Sequence, residues 1–160
     1  TMIEAIIANV DATDLAHLRH VAVGGGELSD DLRQRFLAKF GIEPLQGYGC
    51  AECAPIVALN VPDYGEGREL QPGTRRGTVG HPVPGVAVRI VDPDTGLPVA
   101  SGVEGMLLVS GPNLMAGYVE GPELTRTVMN DGWYITGDRA RLDADGFLTI
   151  SHRSGASPAS

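Results

Sequence analysis

The sequence has little of what membrane-spanning proteins and disulfide-stapled domains require. Its longest apolar runs are about six residues, well short of the roughly 20 that a membrane helix needs. The start of the chain has neither the basic region nor the apolar segment of a signal peptide. Two cysteines, Cys50 and Cys53, are too few for a disulfide scaffold and indicate a reducing compartment. We therefore expect a soluble, cytoplasmic protein with no transmembrane segment in this chain, whose full-length form could still associate with membranes.

Positive charge and aromatic side chains are also scarce. The chain has 12 Lys and Arg against 20 Asp and Glu, a net charge of −8, and 5% aromatic residues. Nucleic-acid binding needs clustered positive charge, and single-strand binding adds aromatic stacking platforms. Arg75 and Arg76 form only a doublet, so nucleic acid is not an expected partner. Lys39 is the only lysine, which limits the residues that could perform a lysine's chemistry.

The first part of the chain, residues 1–62, has the pattern of a βαβ unit. Residues 3–10 suggest a short helix, and residues 18–23 suggest a strand that a run of three glycines ends. Further strands are expected to lead into Tyr48 and to run over residues 56–60.

A helix is predicted between the first two of these strands. Ser29 is placed to cap its start, and Gly41 stands where a helix ends in a left-handed residue. Charged residues such as Arg33 occupy faces other than the apolar one. The apolar residues recur at helical spacing: Leu32, Phe36, Leu37 and Phe40.

The composition changes after residue 62. Residues 63–77 are rich in proline, glycine and charge, which indicates a loop or linker, and residues 78–153 have the alternation of a β-rich unit. The expected elements are strands over 86–91 and 105–110, a short helix over 122–129, and a hairpin turn at 143–146 between two last strands. The fold class is therefore α/β followed by a small β-barrel-like unit.

The three glycines at 24–26 permit two interpretations. A phosphate loop is disfavoured, because the Gly-Lys-Ser/Thr ending is missing and Glu27, Asp30 and Asp31 would repel a phosphate at the helix start. Glycines without side chains would instead let a flat neutral group lie against the backbone. The other interpretation is a tight turn with no ligand.

Cys50 and Cys53 form a C-x-x-C, a spacing found in zinc sites and redox pairs. A zinc site needs two more ligands, and the chain has no second C-x-x-C and no paired histidines. We expect two ordinary small buried thiols and no bound metal, with the metal and redox interpretations as alternatives.

Four further stretches carry a family resemblance when read in order. GYGCAECAP (47–55) resembles the Tyr-Gly-x-Thr-Glu signature of adenylate-forming enzymes, and GTVGHPVPG (77–85) resembles their Gly-x-Val-Gly-x-Pro-x-Pro-Gly stretch. Residues 105–118 and 131–138 are similar to the blocks ending in Gly-Tyr and in Thr-Gly-Asp. The chain is thus identified as a member of the AMP-binding acyl-CoA synthetase superfamily.

The resemblance implies that the chain is a fragment, the C-terminal part of the large N-terminal domain, with residues 154–160 as a flexible tail at the hinge. It implies an ATP-dependent ligase that forms an acyl-adenylate from a carboxylic acid and passes the acyl group to CoA or an acyl carrier protein. The sequence near Cys53 and Asp145 most resembles that of acyl-acyl-carrier-protein synthetases and 2-acylglycerophosphoethanolamine acyltransferases. This resemblance implies acylation with a fatty acid or of a lysophospholipid.

The resemblance also assigns roles to residues on the adenine side. Tyr48 would stack on the adenine, with Gly25 and Gly26 near its other face, and Gly49 belongs to the same nucleotide-binding motif. An ordinary half-buried strand aromatic is the alternative for Tyr48.

Three charged residues are assigned to the rest of the nucleotide. Glu52 would be the catalytic residue that holds Mg²⁺, a cation suited to carboxylate and phosphate oxygens. Asp138 would accept hydrogen bonds from both ribose hydroxyls, and Arg153 would reach the ribose or hinge. The alternatives are a solvated loop carboxylate at Glu52 and a turn cap at Asp138.

The sequence departs from the family pattern in two ways. Ala51 replaces the threonine before the glutamate, so a hydroxyl near the α-phosphate is missing. No phosphate loop with a lysine is present, nor a glycine-flanked C-terminal lysine, and Lys39 lies in an amphipathic helix. We therefore expect no carboxylate-dependent pyrophosphate exchange by this chain alone. The alternative function is a catalytically inactive module that binds nucleotide or a partner.

Overall fold

The structure, a computed structural model, describes residues 1–153, so the predicted tail at 154–160 lies outside the described residues. The helices are α1 (Met2–Asn9), α2 (Asp30–Phe40) and α3 (Pro122–Val128). The strands are, in chain order, β1 (Val21–Val23), β2 (Pro44–Gly49), β3 (Ile56–Leu59), β4 (His81–Pro82), β5 (Ala87–Val91), β6 (Gly105–Ser110), β7 (Met129–Asn130), β8 (Trp133–Leu142) and β9 (Leu148–His152). Short 3₁₀ turns lie at Ala12–Leu15, Ala51–Cys53 and Gly67–Glu69.

Local signals decide where α2 begins and ends. The Ser29 side chain accepts a hydrogen bond from the Leu32 N–H at 3.3 Å, which satisfies a backbone donor that the first turn leaves free. Gly41 has φ 69°, and its N–H donates to the Leu37 carbonyl at 2.8 Å. Both predicted caps are confirmed.

Two expectations for the faces of α2 are wrong. Leu37, placed on the apolar face, is 37% exposed, whereas Arg33, placed on another face, is 8% exposed. Arg33 is buried because its guanidinium bonds Asp30 at 3.1 Å and Glu43 at 2.7 Å. The side of α2 that packs inward is led by Leu32 and Phe36.

The first strand is shorter than the predicted residues 18–23. The 3₁₀ turn over Ala12–Leu15 is followed by a Leu18 N–H that donates to the Leu15 carbonyl at 2.9 Å, so Leu18 belongs to a turn. Strand β1 pairs in parallel with β2, and α2 makes the connection between them. The predicted βαβ unit is present, and β3 and β4 extend its sheet with antiparallel pairing.

The second sheet is antiparallel, with strand order β5-β6-β8-β7 and β9 paired on β8. Its closure into a barrel stays a prediction. One core joins the two sheets: Tyr48, Cys53, Val57, Ala58 and Val79 from the first part pack with Ile90, Leu107, Val109, Tyr134, Ala140 and Leu148 from the second. The domain limits at residues 62 and 78 stay predictions.

The loop over 63–77 is tied to both parts. The Asn60 side chain donates to the carbonyls of Gln46 at 2.9 Å and Thr78 at 2.8 Å, and accepts from the Arg75 N–H at 3.0 Å. The Arg75 guanidinium bonds Asp143 at the predicted hairpin turn. Of the helices in the described part of the chain, none has the length and apolar character needed to cross a membrane.

Candidate functional site

A hydrogen bond between Tyr48 and Asp138 connects the two sheets. Tyr48 lies near the end of β2 and is 4% exposed, and Asp138 lies in β8 and is 6% exposed. The Tyr48 hydroxyl donates to Asp138 Oδ2 at 2.5 Å. A hydroxyl donating to a carboxylate makes one of the stronger neutral-to-charged hydrogen bonds in proteins. Two residues 90 positions apart therefore form one buried unit.

Arg153 completes this cluster. Its Cζ lies 5.3 Å from the centre of the Tyr48 ring, and its Nη2 donates to the Gly49 carbonyl at 3.2 Å. A guanidinium at this distance from an aromatic face is attracted to the ring. The structure thus brings together four of the residues predicted for nucleotide binding: Tyr48, Gly49, Asp138 and Arg153.

Asp138 is positioned by two successive hydrogen bonds within its own sheet. The Asp138 N–H donates to Thr136 Oγ1 at 3.0 Å, and that hydroxyl donates to the Leu107 carbonyl at 2.8 Å. Burial, followed by the hydrogen bond to Asp138, raises the pKa of Tyr48 above its usual range. Tyr48 therefore stays a neutral donor toward the carboxylate at neutral pH.

Gly49 is required by packing as well as by the motif. A Cβ at this position would lie 1.8 Å from the Pro55 carbonyl oxygen, a separation that no side chain can occupy. Strand β2 has an irregular register between Tyr48 and Gly49, where β3 approaches it. Glycine lets the backbone of residues 49–55 fold back tightly after Tyr48.

Two of the cavities that the glycines after β1 border are also lined by residues of the cluster around Tyr48. Gly25 has φ +86°, and a Cβ on Gly25 or Gly26 would meet no atom within 4 Å. A cavity of about 550 Å³ is bordered by Gly25, Tyr48 and Cys50, and a second of about 410 Å³ by Gly26 and Arg153. Tyr48 and Gly26 therefore line different cavities, which share Gly47 of β2.

Glu52 lies in a separate polar cluster. It is 4% exposed, so the alternative of a solvated loop carboxylate is wrong. The Tyr118 hydroxyl donates to Glu52 Oε1 at 2.8 Å, and the Met115 N–H donates to the Glu52 carbonyl at 2.8 Å. Both side chain and backbone of Glu52 are held by residues 115–118.

The pKa values of the two tyrosines near Glu52, Tyr118 and Tyr134, are both raised. Burial, and then the hydrogen bond and negative charge of Glu52, raise the pKa of Tyr118. Burial, and then Glu52, also raise the pKa of Tyr134 above its usual range. Both phenols remain protonated at neutral pH, so Tyr118 can keep donating to Glu52.

Glu52 could supply one carboxylate to a magnesium ion. Within residues 1–153 no group of three or more His, Cys, Asp or Glu is arranged to hold a metal. Mg²⁺ commonly uses one or two carboxylates, with nucleotide phosphates and water as its other ligands. A single buried carboxylate is consistent with that mode of binding.

The two cysteines are adjacent in space. Their sulfurs lie 3.3 Å apart across the 3₁₀ turn that contains Glu52, with Cys53 fully buried and Cys50 partly exposed. Contact with the Cys50 sulfur, and then burial, raise the pKa of the Cys53 thiol. The hydrogen bond with Cys53 lowers the pKa of the Cys50 thiol.

Sequence reasoning missed three residues that hold the site. Tyr118 ends a block recognised in the sequence but was given no role, although its hydroxyl bonds Glu52. The Asn113 amide donates to the carbonyls of Cys53 at 2.7 Å and Ile56 at 3.0 Å, and Thr136 orients Asp138. All three are polar residues inside the stretches 105–118 and 131–138, whose resemblance to the family was the signal that could have identified them.

Comparison with known proteins shows the family. Residues 1–119 match the family described as AMP-binding enzyme. This chain, with its glycine turn after β1 and its Tyr48–Asp138 cluster, belongs to that family.

Relatives and solved structures agree with this membership. A long-chain-fatty-acid–CoA ligase of Salmonella typhimurium is 36% identical over 96% of this chain, and a feruloyl-CoA synthase of Amycolatopsis is 37% identical over 96%. The apo structure of MatB from Rhodopseudomonas palustris superposes over 96% of this chain with a TM-score of 0.78 and 30% identity.

The chain spans only part of these proteins. It covers 26% of the Salmonella ligase, 30% of the feruloyl-CoA synthase and 29% of the MatB chain. An anthranilate CoA ligase solved with anthranoyl-AMP has a TM-score of 0.78 and 28% identity, with 95% of this chain and 28% of that chain covered.

Proposed function

We propose that this chain is the nucleotide-side part of an ATP-dependent acyl-CoA ligase. The observation that carries the proposal is the Tyr48–Asp138 hydrogen bond at 2.5 Å, with Arg153 over the tyrosine ring and a glycine-bordered cavity beside it. The cluster places an aromatic ring, a carboxylate and a guanidinium together. These are the groups that recognise a base and a ribose diol.

Asp138 is the proposed ribose ligand. An ionised carboxylate has about four lone-pair positions, so Asp138 can keep the Tyr48 hydroxyl and still accept from two ribose hydroxyls. Because Asp138 is 6% exposed, ribose binding requires surrounding side chains to shift. Arg153, which lies over the Tyr48 ring, is a side chain whose displacement would open that ring to the adenine.

Glu52 is the proposed magnesium ligand. When bound, Mg²⁺ would neutralise charge on the ATP phosphates as the carboxylate attacks and pyrophosphate leaves. The Tyr118 hydroxyl fixes one carboxylate oxygen of Glu52, and the Met115 N–H fixes its backbone. This chain therefore holds the carboxylate in place before any ion arrives.

The proposal also covers the acyl substrate and the acceptor of the acyl group. Relatives named for long-chain fatty acids, ferulate and coumarate support a carboxylic acid and CoA as substrates. The sequence near Cys53 and Asp145 supports a narrower proposal. In it the acyl group comes from a fatty acid and is transferred to an acyl carrier protein or to a lysophospholipid. A cytoplasmic location fits either form.

A second candidate is a module that binds nucleotide without catalysis. Ala51 has no hydroxyl at the position where the family signature has threonine. Lys39 is held in α2, where its Nζ donates to the Ile7 carbonyl at 2.7 Å, so it is not available to the Tyr48 cluster. These two features favour binding over chemistry for the chain by itself.

Ribose recognition tests the proposed function. Titration of the chain with AMP and with 2′,3′-dideoxy-AMP, followed by NMR, compares ligands that differ only in the diol. We expect AMP to bind more tightly by about tenfold, since hydrogen bonds to a charged group contribute roughly 1.5–3 kcal/mol. Equal affinities, or no binding of either nucleotide at millimolar concentration, would contradict the proposal.

A further inference from the structure

The two thiols of the C-x-x-C lie close enough for an oxidant to join them in a disulfide bond. The Cys50 and Cys53 sulfurs lie 3.3 Å apart, at opposite ends of the 3₁₀ turn Ala51–Cys53. A disulfide has a sulfur–sulfur bond of ~2.05 Å, so the sulfurs need to approach by only about 1.2 Å. Within residues 1–153 no group of three or more His, Cys, Asp or Glu that could hold a metal ion includes the two thiols.

The two thiols differ in access. Cys50 is partly exposed and borders the cavity of about 550 Å³ together with Tyr48 and Pro55. Cys53 is 0% exposed and belongs to the shared core, against which Cys50 packs. A small solute in the cavity can therefore approach Cys50, whereas the Cys53 side chain has no exposed surface.

The backbone around Cys53 is anchored. The Asn113 amide donates to the Cys53 carbonyl at 2.7 Å and to the Ile56 carbonyl at 3.0 Å. Cys53 is also packed without exposure, so the approach of the two sulfurs must come mainly from the Cys50 side chain. Rotation of one partly exposed side chain is a small change, which makes closure of the disulfide compatible with the folded chain.

We propose that Cys50 and Cys53 are a reversible thiol–disulfide pair that hydroperoxides oxidise. The Cys50 sulfur attacks one oxygen of hydrogen peroxide, the O–O bond breaks, and water leaves as Cys50 becomes a sulfenic acid. The Cys53 sulfur then attacks the Cys50 sulfur, the S–O bond breaks, and a second water leaves with the Cys53 proton. The two thiols lose two electrons and two hydrogens, and a dithiol reductant restores them.

Cys50 and Cys53 flank Glu52, so the disulfide would close a covalent ring around the turn that carries the candidate magnesium ligand. This consequence rests on the proposed function, whereas disulfide formation does not. The experiment therefore measures the disulfide itself, which forms or fails to form whether or not the chain binds nucleotide.

The test is intact-mass analysis of the chain treated with hydrogen peroxide, with thiols counted before and after reduction by dithiothreitol. The wild type should lose about 2 Da and both free thiols as a monomer, and reduction should restore both. Peptide mapping after alkylation separates this change from methionine oxidation. Retention of both thiols, or a disulfide-linked dimer in place of the internal bond, would overturn the proposal.

Single variants test the order of the two steps. In Cys53→Ser, Cys50 should gain oxygen and be trapped by a sulfenic-acid reagent, because no second thiol resolves it. In Cys50→Ser, the buried Cys53 should react far more slowly than Cys50 does in the other variant. Equal reaction rates in the two variants would contradict the assignment of Cys50 as the first thiol to react, and circular dichroism checks that both remain folded.

Discussion

Removal of one hydroxyl, in Tyr48→Phe, should weaken the contact between the two sheets. The ring stays in the core, and only the donor to Asp138 at 2.5 Å is lost. Hydrogen bonds to charged groups contribute about 1.5–3 kcal/mol, and leaving a buried carboxylate with one donor fewer lies in the same range. For a chain of this size each kcal/mol shifts the melting temperature by about 2–4 °C, so the melting temperature should fall by roughly 3–12 °C.

Thermal unfolding followed by circular dichroism at pH 7 measures this loss, and urea unfolding measures it independently. Tyr64→Phe is the matched control, because Tyr64 is 78% exposed and the same atom is removed from the surface. The control should change stability by no more than about 0.5 kcal/mol. If Tyr48→Phe is as stable as Tyr64→Phe, the hydrogen bond does not hold the sheets together and the reasoning is refuted.

The same pair predicts how stability depends on alkaline pH. The pKa of Tyr48 is raised in the folded chain, by burial and then by Asp138, so the unfolded chain releases its proton first. The stability that Tyr48 contributes is therefore fully present below about pH 10 and falls as pH rises above it, by ~1.4 kcal/mol per pH unit. Tyr48→Phe should lessen this slope without abolishing it, because the pKa of Tyr134 is raised as well. An unchanged slope would contradict the assignment.

Three further predictions concern the signature turn. Gly49→Ala should destabilise the chain by about 1–3 kcal/mol or more in urea unfolding, because its Cβ would lie 1.8 Å from a carbonyl oxygen. The control Gly26→Ala should be nearly neutral, because a Cβ at Gly26 would meet only open space. Tyr118→Phe should cost about 1.5–3 kcal/mol by the same measurement, since Glu52 loses its hydroxyl donor, and a neutral result would mean that this bond does not position Glu52. Protein purified without added zinc should contain none by elemental analysis, and one equivalent lost in Cys53→Ser would overturn our account of the cysteines.

Local chemistry made part of the fold predictable. Ser29 and Gly41 set the limits of α2 by backbone hydrogen bonds, Pro122 starts α3, and the turn at 143–146 joins β8 to β9. Each of these depends on a few neighbouring residues. The resemblance of residues 47–55 to a family signature also identified Tyr48 as a candidate.

Long-range contacts account for what sequence reasoning missed. Arg33 is buried because Glu43, ten positions away, neutralises it, and no helical pattern reveals that pairing. Tyr118 reaches Glu52 across 66 positions and Asp138 reaches Tyr48 across 90. The motifs gave the residue types, but only the packing of two sheets on one core determines which of them touch.

The central claim is that Asp138 binds the ribose of a nucleotide, and calorimetric titration with AMP tests it most directly. Asp138→Asn keeps the size of the side chain and removes its charge, and Asp131→Asn is the matched control at an exposed residue with φ +46° that asparagine tolerates. We predict that Asp138→Asn binds AMP about tenfold or more weakly than the wild type, whereas Asp131→Asn binds it equally well, with circular dichroism showing that all three are folded. Equal affinity of the Asp138→Asn variant and the wild type would contradict the account.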